Sequence, residues 1–319
     1  MLKDFGSRLQ VIGLLPTILA VGVVTFLVAA DAPSNSLSWS TIQEAVTSIG
    51  GVGLIVISGV SVAVAISLQP LQFRLVQLLE GYWPAWFPQW MARLGVRLEM
   101  NRRDRIKRRL RPGKLRKTVA AEVTALERAQ AAESQIRERF PADDRMLPTA
   151  LGNALRAAED TVGQRYDLES VVIWPRLFQV LPERIRTAID DEVTQLDVSA
   201  RLTVTWTLAG MVCLLWLLRD VAALLENPLW LAVVASVFLL ARLSYQSAVE
   251  SAIAHGVDLE VAIDLYRARV IDAMRLYPTV SLKQERRVFR ELSGLFRESS
   301  PSDRNLHFVA TARAGASSD

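Results

Sequence analysis

Pro228 to Leu276 is the stretch that most limits how this chain can fold. Its first half, Leu229 to Leu243, carries no charge before Arg242. Leu231, Val233, Val234, Val237, Phe238, Leu239 and Leu240 make it apolar around the whole helix, which suits lipid better than a half-wet surface. Its second half is amphipathic. Ile253, Val257, Val261, Leu265, Val270 and Ile271 form an apolar stripe, with Glu250, Asp258, Asp264 and Asp272 largely off it. Pro228 suits a first helical position, where no backbone donor is needed. The spacing predicts one helix that leaves a membrane and continues into water. Its stripe must then bury against another helix or a neighbouring subunit.

Arg242, Gln246 and Glu250 follow one another at four-residue spacing and share a helix face. Arg242 lies 14 residues after Pro228, or about 21 Å along the helix. That leaves it roughly 9 Å short of the far side of a ~30 Å hydrocarbon layer. Ionisable groups at such a depth face a bundle interior or a water-filled cavity, or reach out to the headgroups. The three residues, with Arg201, are the candidate polar path.

The chain has 319 residues, 51% of them hydrophobic, and its mean hydropathy is +0.23 despite 22% charge. The apolar residues gather in four runs. A single cysteine, Cys213, rules out a disulfide within one chain and a cysteine-based metal site. Two histidines far apart in sequence, His255 and His307, offer little for zinc or for histidine catalysis. No metal or cofactor is expected.

Leu9 to Ala30 is the first predicted span, with Pro16 inside it. A signal peptide is the rival reading, but the apolar run is longer than a signal core. Asp31 to Ser48 reads as a loop and Ile49 to Leu68 as the second span. Within that span Gly59, Ala63 and Ser67 form a small-residue ridge, the kind of seam on which membrane helices touch.

Gln69 to Arg201 is a large insert. Leu71 to Met91 reads as a segment lying along the inner membrane surface, with Tyr82, Trp83, Trp86 and Trp90 as interfacial aromatics; a buried aromatic core is the alternative. Residues 69–117 hold 13 basic and 3 acidic side chains, a net of +10. The dense part is Arg102, Arg103, Arg105, Lys107, Arg108, Arg109, Arg111, Lys114, Arg116 and Lys117. A basic cluster near a span binds anionic lipid headgroups most simply. Nucleic acid is the less favoured partner, because no binding fold is legible and no aromatics interleave the cluster.

An amphipathic helix is expected over Lys114–Phe140 and a short helix over Thr149–Thr161, ended by Gly163. A further helix starts at Pro182 and runs through Asp190, Thr194, Asp197 and Arg201 into the third span, Leu202 to Leu218. The acids there read as a solvated face, with metal binding the weaker option. Arg219 to Asn227 is a tight turn, followed by the fourth span. Ser281 with Gln284 is a capping box for a last helix, and 299–319 has the composition of a disordered tail.

The expected fold is all-α: four transmembrane helices in a 2+2 arrangement with a large helical cytoplasmic domain. The parts are 1–68 (spans about 9–30 and 49–68), the insert 69–201, 202–245 (spans about 202–218 and 228–245), the helical extension 246–298 and the tail 299–319. Of 37 Lys and Arg residues, 35 fall before span one, in the insert or after Tyr245. The positive-inside rule then puts both termini and the insert in the cytoplasm, with the protein in the cell membrane. Self-association is expected from the seam and the apolar stripe, and an unknown cytoplasmic partner remains open.

Leu68-Gln69-Pro70-Leu71-Gln72, Leu78-Leu79-Glu80-Gly81-Tyr82-Trp83, Arg165-Tyr166-Asp167-Leu168 and Val172-Ile173-Trp174-Pro175-Arg176 resemble uncharacterised actinobacterial multi-pass membrane proteins. The resemblance implies no activity. The span order, in layout alone and through no shared motif, is similar to that of bestrophin channels. Two functions follow as expectations: a homo-oligomeric ion channel or transport-like assembly, and a membrane-anchored scaffold or regulator. No nucleophile–base set points to an enzyme.

Overall fold

The structure, a computed structural model, describes residues 2–68, 70, 72–110, 119–297 and 306–308. Among the described residues eleven helices follow in order: α1 (Leu2–Ala29), α2 (Trp39–Leu68), α3 (Gln72–Glu80), α4 (Gln89–Leu110), α5 (Val119–Arg139), α6 (Ala150–Thr161), α7 (Ser170–Val180), α8 (Glu183–Leu217), α9 (Val221–Glu226), α10 (Trp230–Ala273) and α11 (Leu282–Arg297). Short 3-10 turns occupy Asp143–Arg145 and Gln164–Tyr166. The all-α expectation holds: among the described residues the one extended pairing is an isolated bridge between Leu276 and Phe308.

Three of these helices, α2, α8 and α10, are long and apolar enough to cross a membrane. The described apolar stretch of α1, Pro16–Ala29, is shorter. Three membrane-capable helices is therefore what the fold supports, and a two-plus-two order would need α1 as the fourth.

The chain divides into two compact units. The first comprises Met1–Pro84 and Thr194–Ser251. Its core joins Ala20 and Leu27 of α1 to Trp206, Ala209, Cys213 and Leu217 of α8 and to Trp230, Val234, Val237 and Ala241 of α10. One end is closed by side chains that bond two loop carbonyls and a loop carboxylate. The Trp230 indole donates to the Asn35 carbonyl (2.8 Å), the Asn227 amide donates to Pro33 (3.1 Å), and Arg219 meets Asp31 at 3.1 Å. The tight turn expected at Arg219 to Asn227 thus contains the short helix α9, capped by Asp220.

The loop expected at Asp31 to Ser48 is only half a loop, because α2 begins at Trp39. Its start is capped by Ser38, whose hydroxyl accepts from the Thr41 N–H. The helix bends at Gly50, where φ 53° and ψ −171° require a residue without a Cβ. The bend separates the polar residues before it from the apolar arm after it. Only 11% of the apolar window of α2 is buried within the chain, against 44% for α8.

The second unit comprises Ala85–Val193 and Ala252–Asp319. Its core holds Ile173 and Leu177 of α7, Ile189 of α8, Ala262, Ile263, Val270 and Ile271 of α10, and Phe289 and Leu292 of α11. The stripe expected on α10 is divided by this packing. Val270 and Ile271 are buried, whereas Val257, Val261 and Leu265 stay exposed. The helix turns Ala252, Ala262 and Ile263 inward instead. Residues 306–308, expected to lie in a disordered tail, pack on this unit: Leu306 joins the core and the Tyr277 N–H donates to the His307 carbonyl at 3.1 Å. The rest of that tail lies outside the described residues.

Local signals held well here. Thr149 caps α6 through the Gly152 N–H, and Gln284 N–H donates to Ser281 at the start of α11. The Gln284 side chain reaches back to Val280 rather than to Ser281, closing the box one residue early. Gly163 ends the α6 segment at φ 81°, and a Cβ there would sit 2.7 Å from the Leu168 carbonyl oxygen. Gly163→Ala is therefore expected to cost about 2 kcal/mol through left-handed strain and that contact. Thermal unfolding of the purified variant checks this, and an unchanged midpoint would contradict it.

Candidate functional site

In the first unit, Arg242, Gln246 and Glu250 share one exposed face of α10. The opposite side is filled by small residues. Ala200, Ala241, Ala248 and Ser251 are buried, and the hydroxyls of Ser199 and Ser247 meet at 3.0 Å. Thr203 donates to the Ser199 carbonyl (2.8 Å) and Thr207 to the Thr203 carbonyl (2.6 Å), so these hydroxyls are satisfied along α8 itself. Among the described residues of this unit no charged side chain is buried. The interior between α8 and α10 therefore offers ions no charged wall, and the charged face points away from it. Arg201 is half-buried on α8.

The seam residues Gly59, Ala63 and Ser67 are likewise exposed, on the outer side of α2, and a Cβ on Gly59 would meet nothing within 4 Å. Among the described residues all three therefore lie on an open face of α2. A shallow groove of about 390 Å³ lies between Ile18, Gly22 and Phe26 of α1, Leu54 and Ile57 of α2 and Val233 of α10. Its apolar lining suits hydrocarbon and carries no group for chemistry.

The basic region lies in the second unit. Arg102, Arg105, Lys107 and Arg108 are exposed on α4. Arg103 is not: it is 6% exposed and forms a bidentate pair with Asp143, its second bond being 3.3 Å. This corrects its reading as a headgroup ligand. The reason is the register of α4, whose half-buried or buried positions Val96, Glu99, Met100 and Arg103 recur every three or four residues. Arg109 is the last residue but one of the same helix. Arg111, Lys114, Arg116 and Lys117 lie outside the described residues.

Hydrogen bonding from Arg103, then its charge, holds the Asp143 carboxyl below the usual carboxylate range. The pairing's contribution to stability is full above an unfolded pKa of about 3.9 and is lost as pH falls through the lower folded value. Asp143 is largely solvated, so the effect is modest. In an acid titration of stability, Asp143→Asn is expected to flatten this drop. An unaltered acid limb would show that another group causes it.

Of the aromatics, Trp83 is half-buried and its indole donates to the Leu78 carbonyl at 3.0 Å. Tyr82, Trp86 and Trp90 are exposed.

Sequence reasoning missed a charged cluster in the second unit. Arg267 pairs with Glu285 at 3.0 Å and stacks on the Tyr166 ring at 3.8 Å. The Tyr166 hydroxyl donates to Asp264 at 2.9 Å, and Arg165 meets Glu260 at 3.1 Å. Burial, and then the bond to Asp264, push the Tyr166 phenol up. Tyr166 and Asp264 are 98 positions apart, and Arg267 and Glu285 sit on different helices 18 apart, which no local pattern reveals. The charges are matched and tie α10 to α11 and to the turn at Tyr166, a structural role. Among the described residues no three His, Cys, Asp or Glu could hold a metal ion together.

No protein family model, curated protein or solved structure matches the chain.

Proposed function

We propose that this chain is a multi-pass membrane protein that assembles with copies of itself and conducts small anions along a path lined by Arg242, Gln246 and Glu250. The observation that carries the reading is the outward direction of that face. A single chain keeps its three polar side chains away from a sealed interior, so only neighbouring copies could enclose them. The unused seam at Gly59, Ala63 and Ser67 and the nearly bare apolar arm of α2 support lateral association in lipid. The arginine favours anions. In this reading α1 is the fourth span. Both termini and residues 69–201 are cytoplasmic, because 35 of 37 basic residues fall there.

A scaffold or regulator is the second reading. It is favoured by Val257, Val261 and Leu265, an exposed apolar row at four-residue spacing that suits a helical partner. Two measurements on the purified protein separate the readings. The first is the assembly mass in mild detergent, and the second is ion flux through liposomes. An oligomer that passes anions supports the path. A monomer, or an oligomer silent across several ions and voltages, favours the scaffold.

A further inference from the structure

We propose that the outer face of α4 docks on an anionic bilayer surface, with Trp90, Leu94 and Leu98 entering the acyl boundary and Arg93, Arg97 and Arg105 holding lipid phosphates. This goes beyond the path on α10 and does not depend on it.

Three observations carry it. First, the apolar residues are in the wrong place for a core. Trp90, Leu94 and Leu98 recur every four residues and are 65%, 48% and 55% exposed, while the inward side of α4 is Val96, Glu99, Met100 and Arg103. Second, the flanks are cationic. Arg93 and Arg97 are exposed along one edge, and Arg102, Arg105 and Arg108 continue the outer face past the apolar row. The two acids of α4 do not oppose this: Glu99 is half-buried and meets Arg102 at 3.6 Å, and Asp104 meets Arg103 at 3.6 Å. An apolar row edged by arginines, with an indole at its start, is the pattern of a helix lying in the headgroup plane. Third, α4 begins 21 residues after α2 ends (89 − 68). A helix tethered this closely to a membrane-capable one meets a bilayer at high effective concentration.

Other occupants fit less well. Nucleic acid would use the arginines but leave Leu94 and Leu98 without a role. A second copy would bring the same arginines face to face, which repels.

The test uses the full chain in nanodiscs of phosphatidylcholine with and without phosphatidylglycerol. A nitroxide is placed at Leu94→Cys or, separately, at Leu98→Cys. Both positions are exposed, so the labels leave the core intact, and the buried Cys213 stays unlabelled. Collision with dissolved oxygen and with a water-soluble nickel chelate reports depth. In anionic discs both labels are expected to favour oxygen over the chelate. Arg93→Gln with Arg97→Gln is expected to move that ratio towards the value for water. Labels that remain open to the chelate in anionic discs overturn the proposal. So do labels shielded from both reagents, which mean a protein contact, and labels shielded only after RNA is added.

Discussion

Anion flux through liposomes is expected to fall about tenfold on Arg242→Ala and to give way to a cation preference on Arg242→Glu. The basis is electrostatic focusing: a fixed charge on the wall of a narrow, low-dielectric path raises the local concentration of the opposite ion by roughly tenfold or more. Arg242 supplies the one positive charge among the three face residues. Reversal therefore tests more than loss does. A misfolded variant also loses flux, but it does not exchange one ion preference for the other. Glu250→Gln is expected to raise the anion preference by removing the opposing charge. Flux that ignores the charge at 242 would remove the proposed path while leaving self-association standing. No flux from the native protein would shift the argument to the exposed row at Val257, Val261 and Leu265.

Phe289→Ala is expected to destabilise the second unit by about 4 kcal/mol, from lost apolar burial plus the cavity left behind. Phe289 is fully buried beside Ile173, Leu177 and Leu292. Single domains hold only about 5–15 kcal/mol in all, so the variant would lie near the limit of folding. Urea unfolding followed by tryptophan fluorescence reads the loss, Trp174 packing on the same core and seven other tryptophans adding to the signal. Val280→Ala is the control, since Val280 is 91% exposed and expected to change little. A midpoint for Phe289→Ala close to that of the control would mean that α11 does not close this core.

Much of the architecture was legible because its causes are local. The unbroken α10, the break at Gly163, the cap at Ser281 and the helix running from Pro182 into the third apolar run were all read from spacing and from residues with restricted backbones. The early start of α2 was missed, although Ser38 and Thr41 carried a capping signal. The two arms of α2 were harder to see, since Gly50 is one of several glycines and only the packed fold shows which one bends.

The candidate site was legible as a list of residues and not as a direction. Arg242, Gln246 and Glu250 were placed on one face by their spacing, but spacing is silent on which way a face turns. Arg103 belongs to a basic run by sequence and to Asp143 by structure, 40 positions away. The α10 stripe shows the same limit. Val257, Val261 and Leu265 read as the buried side, yet Ala252, Ala262 and Ile263 face the core.

By itself, then, the amino-acid sequence determined the helical class, three membrane-capable runs out of the four expected, several helix ends and the split of charge along the chain, because each depends on residues close together in sequence. Only the tertiary structure decided which side of each helix is covered. On α10 both sides are apolar enough to be buried, and neighbours distant in sequence cover Ala252, Ala262, Ile263, Val270 and Ile271 while leaving Val257, Val261 and Leu265 exposed.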